Sequence, residues 1–305
     1  MKWWYFEREP PRSGKTKKVP DTISVPNLCR GSFSSSKCRT LSYSFDMIDR
    51  NKTDTKAMLR QCLTLLGIAL ALSVSGCGGD QTPVVPPANT AEGLWSGTTN
   101  TDRTLTAAVL DDGTYYVFYS GPGNPNQIGG VMQGTGTSNN GSFTSSNTKD
   151  FGIGVTVLDA TLAANYAARQ FLNGSITYFG TGAVTFTSSY NSAYDTTPTI
   201  ASLAGIYAGQ AGSSGGAQTA NVTVAADGTF TGTEQNGCTF TGKATARTRG
   251  NVFDQSITFG GAPCFFAGNT FQGIVYFDIP TRRLYAANPN SLRTDAAIFF
   301  VTKIL

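Results

Sequence analysis

Histidine is missing altogether from this 305-residue chain. Its absence removes the usual general base near neutral pH and with it Ser-His and Cys-His catalysis. It also removes the commonest zinc ligand, and the six cysteines show no finger-type spacing that would replace it. Charge is scarce as well, at 14% of residues, and it is unevenly spread. Of the 23 Lys and Arg, 13 fall within residues 1–76, together with 6 of the 19 Asp and Glu. The remainder carries 10 basic against 13 acidic residues, so the net charge of +4 belongs to the N-terminal quarter. A mildly acidic body lacks the basic footprint that nucleic-acid binding needs. Long apolar runs are also lacking. The longest, residues 62–76, would reach roughly 22 Å as a helix, short of the ~30 Å hydrocarbon core of a bilayer.

What that run does have is the form of a signal-peptide core. Arg60 supplies a positive charge before it, and it ends in Val74-Ser75-Gly76-Cys77. Spacing, charge, apolar length and cysteine together resemble the lipobox of bacterial prolipoproteins, over about residues 58–80. The resemblance implies cleavage between Gly76 and Cys77, a thioether-linked diacylglycerol on Cys77, and acylation of the new amine. Several acyl chains anchor stably where one binds marginally. Gly78 and Gly79 follow the cysteine rather than Asp. By the sorting rule of that class, this implies the outer membrane, with the body facing the periplasm or the cell surface.

On this reading residues 58–76 are the signal peptide, and residues 1–57 are too long for its n-region. They read as a mis-assigned start, with Met58 or Met47 the true one, or as a disordered cytoplasmic extension with residues 62–76 as a short anchor. Residues 77–91 read as a Pro/Gly tether, with three prolines in Asp80–Asn89 favouring extended chain.

From about residue 92 the periodicity is that of strands. Apolar residues alternate in Ala220-Asn221-Val222-Thr223-Val224, in Phe240–Arg247 and in Phe271–Phe277. Gly and Asn punctuate the chain at the spacing of an antiparallel sandwich or barrel. The Ala-rich stretch 159–168 also alternates, at Leu162, Ala164 and Tyr166, and is read as a strand. A weak internal repeat runs through this body. Gly93-Leu94-Trp95-Ser96-Gly97 matches Gly205-Ile206-Tyr207-Ala208-Gly209, and Asp112-Gly113-Thr114-Tyr115 matches Asp227-Gly228-Thr229-Phe230. Gly174–Tyr178 also resembles Gly273–Phe277.

The expected fold is therefore all-β: two tandem, repeat-related antiparallel barrel or sandwich units at 92–195 and 203–305, after a disordered leader. The Gly-x-aromatic-x-Gly first strand is reminiscent of lipocalin-like small barrels, in which the aromatic plugs the barrel base; this is an architectural likeness. A single larger sandwich is the alternative.

Cys77 is assigned to lipid and Cys62 to the leader. With Cys29 and Cys38 in the extension before the signal peptide, Cys238 and Cys264 then remain for an oxidising compartment, and a disulfide between them is expected. The candidate chemistry is otherwise sparse. The Asp-Gly pairs at 112–113 and 227–228 read as hairpin turns rather than calcium loops. Gly134-Thr135-Gly136 lacks the third glycine of a dinucleotide fingerprint, and no serine sits in a Gly-x-Ser-x-Gly elbow. Arg282-Arg283 reads as a solvated turn. Tyr115–Tyr119 places aromatics on both faces of one strand; core and rim together account for them, with a ligand or partner surface on the second face as the alternative.

No catalytic residue, metal site or cofactor is assigned. The reading that follows is a membrane-tethered, non-catalytic binding module for a small hydrophobic ligand or an envelope protein. The small residues Ala220, Gly242, Ala244 and Ala246 leave room inside the second unit unless large opposing residues fill it. The alternatives are a structural envelope-assembly lipoprotein and a hydrolase using carboxylates alone, for which Asp254, Asp278 and Glu234 would have to converge.

Overall fold

The computed structural model describes residues 89–305 apart from Thr181, and these fall in one compact unit. The expected extension (1–57), signal peptide (58–76), lipidation site Cys77 and most of the tether lie outside the described residues. The tether's last residues are held: Tyr166 donates its hydroxyl to the Asn89 carbonyl at 2.5 Å, and the Ala91 N–H reaches Ser138 Oγ at 2.9 Å.

The body is all-β, and its two repeat units are two closed antiparallel barrels. The first is built from β1 (Gly93–Thr99), β2 (Thr104–Val109), β3 (Thr114–Gly121), β4 (Asn124–Thr135), β6 (Ser142–Gly152), β7 (Leu158–Ala167), β8 (Phe171–Tyr178) and β9 (Gly182–Tyr190). Each strand pairs with its neighbours, β1 pairs with β9, and β4 closes the ring on β6. The short β5 (Thr137–Asn139) only extends β6 at one end. A 3-10 turn (Ser192–Asp195) and one helical turn, α1 (Ile200–Leu203), lead to the second barrel. It comprises β10 (Gly205–Ser213), β11 (Gly216–Val224), β12 (Thr229–Glu234), β13 (Thr239–Ala246), β14 (Phe253–Phe259), β15 (Thr270–Asp278), β16 (Arg283–Pro289) and β17 (Ala296–Lys303). These run strictly up and down, and β17 closes on β10.

The repeat motif has a physical reason in both barrels. Gly93 and Gly205 open their strands at φ +154° and +152°, a conformation that a side chain resists. Gly97 and Gly209 face the closing strand so tightly that a Cβ would lie 1.9 Å from the Thr187 carbonyl and 2.3 Å from the Phe300 carbonyl. Between them Trp95 and Tyr207 are fully buried at the barrel base. Each returns its polar tip to the carbonyl four residues earlier: Trp95 Nε1 to Ala91 at 3.0 Å and the Tyr207 hydroxyl to Leu203 at 2.6 Å. The Asp-Gly turns match too. Asp112 and Asp227 accept the N–H of Thr114 and Thr229 at 2.8 and 3.0 Å, with Gly113 and Gly228 at φ +81° and +84°. The third match is different. Gly174–Tyr178 lies on the seventh strand of its barrel and Gly273–Phe277 on the sixth of its own, so the likeness joins strands that do not correspond.

Along the strands apolar residues point inward and polar ones outward, as in β11, where Ala220, Val222 and Val224 are buried while Asn221 and Thr223 are exposed. That alternation is the inverse of a lipid-spanning barrel's. The exception is a flank on which the barrels face each other. There Leu94, Tyr116, Phe118, Val131 and Phe151 of the first pack with Ile274, Tyr276, Ile298 and Phe300 of the second.

Candidate functional site: the first barrel's interior

The two interiors differ sharply. The second barrel is filled. Phe230, Phe240, Phe253, Phe259, Phe271, Phe277 and Phe299 all point into it, and the space left is about 30 Å³, room for a water or two. The room expected at its small residues is taken by aromatic rings from the neighbouring strand. A Cβ on Gly242 would lie 2.2 Å from the Phe230 ring, and one on Gly232 would lie 2.2 Å from the Phe240 ring. Ala220 and Ala244 are buried in the packed core and Ala246 is exposed. Of the two outcomes open for these small residues, the space is filled by large opposing side chains rather than left as room.

Its upper end is also stoppered. The Cys238–Cys264 disulfide joins the β12–β13 and β14–β15 connections. Beside it Phe266 packs over the core, 5.4 Å from Phe259 and 4.9 Å from Phe271 between ring centroids.

The hollow lies in the first barrel, which turns only two phenylalanines inward, Phe143 and Phe186. A cavity of about 210 Å³ opens between walls of Leu105, Ala107, Val109, Val117, Met132, Leu162, Leu172, Ile176 and Val184. An apolar protein cavity of about 150 Å³ already takes up benzene. The base is shut by Trp95, against which Tyr190 stands edge-on at 5.3 Å. At the other end, where the β1–β2, β3–β4, β6–β7 and β8–β9 connections meet, the lining turns polar with Thr99, Thr101, Arg103, Tyr119, Asp150 and Tyr178. A second hollow of about 240 Å³ lies there and shares Arg103, Tyr119 and Asp150 with the cavity. Its rim includes the half-exposed Val155 and Leu158.

Asp150 is the centre of this mouth. It is only 7% exposed, and its two oxygens accept the hydroxyls of Tyr119 and Tyr178, each at 2.6 Å. Burial raises its carboxyl above the usual value of 3.8, against the opposing pull of the two phenols and of the Arg103 charge. The phenols are pushed up in turn, first by burial and then by the Asp150 charge, so both remain donors. Arg103 is half-buried, lies 5.3 Å from the Tyr119 ring centroid and donates Nη1 to the Ser120 carbonyl at 2.7 Å. A carboxylate has about four acceptor positions and a guanidinium five donors, so both groups keep capacity for a further partner.

Strand alternation alone misses Asp150. Counting in twos from the inward Phe143 and Ser145 places residues 147 and 149 inside. A bulge between Ser145 and Thr148 shifts the phase, so that Thr148 and Asp150 turn inward instead. Tyr115, Val117 and Tyr119 of the aromatic run face the cavity. Tyr116 and Phe118 face the second barrel, with Phe118 5.5 Å from Tyr285, so the second face too is buried as core and not left as a ligand or partner surface.

The other sequence candidates have structural duties. Arg283 donates to the Pro125 carbonyl at 2.9 Å and to Asn126 Oδ1 at 2.7 Å, tying the second barrel to β4. Asp111 pairs with Arg247 at 2.7 Å. Asp254, Asp278 and Glu234 are not brought together. Glu234 lies at the stoppered end, Asp278 at the opposite end, and Asp254 is exposed on the wall beside Arg247. No family model matches the sequence, and a search of curated proteins finds no match.

Proposed function

We propose that this chain is a non-catalytic binding module whose first barrel takes up a small, largely apolar ligand. The observation that carries the reading is the asymmetry of the interiors: about 210 Å³ of apolar space in one barrel and about 30 Å³ in the other. Apolar walls with a few convergent polar groups at one end are the usual build of a small-molecule site. The second barrel acts as scaffold. Gln210 accepts the Ile128 N–H at 2.9 Å, the Ser213 carbonyl accepts the Gly154 N–H at 3.0 Å, and Arg283 holds Pro125 and Asn126. These contacts brace the first half of β4 and the β6–β7 connection, both at the open mouth. The lipobox-like Val74-Ser75-Gly76-Cys77 supports the further reading that the module is tethered by lipid on Cys77 at the outer membrane.

Intact mass of the protein purified from membranes tests both parts. Residues 77–305 plus acyl chains should appear after denaturation, with additional mass seen only under native conditions. Ala107→Phe, which places a ring inside the cavity, should remove that additional mass. Native mass that survives Ala107→Phe, or no additional mass at all, would overturn the binding reading. An unlipidated mass that includes residues before Cys77 would overturn the anchor.

A further inference from the structure

Resting on the reading of the first barrel as a binding site, we infer that its ligand carries an uncharged head that both donates and accepts hydrogen bonds, an alcohol or a primary amide, lodged between Asp150 and Arg103 at the mouth. Among the residues lining the cavity and the adjoining hollow, Arg103 and Asp150 are the only two that carry charge. They line both spaces, so any head leaving the apolar walls meets them together. Their charges sum to zero. An anionic head would gain from Arg103 and be repelled by Asp150, and a cationic head would meet the reverse. Within a half-buried mouth a like charge is costly, because the low dielectric leaves it poorly screened.

A hydroxyl has no such conflict. It donates to the lone pair that Tyr119 and Tyr178 leave free on Asp150 and accepts from an Arg103 N–H beyond the one given to Ser120. Of the neighbouring rim charges, Lys149 and Asp159 pair with each other at 2.5 Å, and Asp102 on the β1–β2 connection is exposed, where solvent screens it. The two phenols fix the carboxylate with both oxygens engaged, so the acceptor is positioned before the ligand arrives.

The test is a matched series of octan-1-ol, octanoate and octylamine, titrated calorimetrically into the full chain at neutral pH. Octanol should bind at least about tenfold tighter than either ion. Asp150→Asn should raise octanoate relative to octanol by about tenfold, and Arg103→Gln should do the same for octylamine. Each substitution is close in size to the original, and if one fails to fold, the other carries the test alone. Equal affinities for the three probes, an ion ranking first, or a ranking unmoved by both charge substitutions would overturn the neutral-head inference. If binding in those cases is still abolished by Ala107→Phe, the binding reading stands while the inference falls. No binding by any probe to the wild type would remove both.

Discussion

The two barrels share a topology, a base motif and a turn, yet one is hollow and the other solid. The difference lies in what the inward positions hold. Seven phenylalanines point into the second barrel, two of them (Phe230 and Phe240) lying over glycines of the neighbouring strand, whereas the walls of the first barrel's cavity are mainly Val, Leu, Ile and Ala, whose side chains are shorter. Three of its larger residues, Tyr115, Tyr119 and Tyr178, are spent on polar partners near the ends: Thr148 for the first and Asp150 for the other two. The ends differ as well. A disulfide holds the stopper loop of the solid barrel, and the hollow one has no cysteine at all. Closure of the sheet therefore does not decide whether a small barrel is a container. Side-chain length at a handful of inward positions does.

The largest effect that would break this contrast is a hole in the solid barrel. Phe299→Ala removes a ring that packs 5.2 Å from Phe240 and should cost about 3–5 kcal/mol in denaturant unfolding. Ala107→Phe, the reverse change in the hollow barrel, should alter stability by less than about 1.5 kcal/mol while abolishing ligand uptake. Equal destabilisation by the two would mean that the interiors are not as different as their volumes. Next comes the stopper. Replacing Cys238 and Cys264 by Ala opens a loop with a sequence separation of 26 and should remove roughly 3–4 kcal/mol in the chain-entropy model. The same change should leave probe binding in the first barrel intact, as thermal unfolding and calorimetry on one sample would register. Arg283→Ala should cost about 1 kcal/mol, because its two bonds to β4 are exposed. Its clearer sign is faster amide exchange at residues 124–130 than elsewhere in β4.

The smallest effect concerns pH. A carboxyl whose native pKa is raised binds its proton more tightly folded than unfolded. The Asp150 contribution is therefore most favourable below the ordinary value of 3.8 and declines as pH rises through the native value. Melting curves of the wild type and Asp150→Asn should differ by an amount that grows in the variant's favour across that window. Glu92 and Glu234 are raised by burial too, but both are present in each protein and cancel in the difference.

Much of the architecture was legible in the sequence. Period-two alternation, the Gly-x-aromatic-x-Gly pairs, the Asp-Gly turns and the elimination of other cysteines sufficed for two β units and for the disulfide. The location of the cavity was not. Small residues such as Gly242 look like empty space along one strand. Whether they are empty depends on a ring from the next strand, and register is a property of pairs rather than of a single run. Asp150 was hidden for a related reason. One extra residue in β6 inverts inside and outside beyond it, and nothing in Ser145-Ser146-Asn147-Thr148 announces that shift. The covered face of Tyr116 and Phe118 needed knowledge of how one barrel lies on the other, which no local pattern carries.

That covered flank bears on how the chain comes into being. Synthesis runs from the N-terminus, so the hollow barrel is complete by Tyr190 while Tyr116, Phe118, Val131 and Phe151 still lack their cover. Ile298 and Phe300, which lie on that flank, belong to β17, the strand that closes the second barrel on β10. A nascent chain halted anywhere before them displays an oily stripe to every neighbour. Until β17 closes the second barrel, the hollow barrel is also the part most prone to stick.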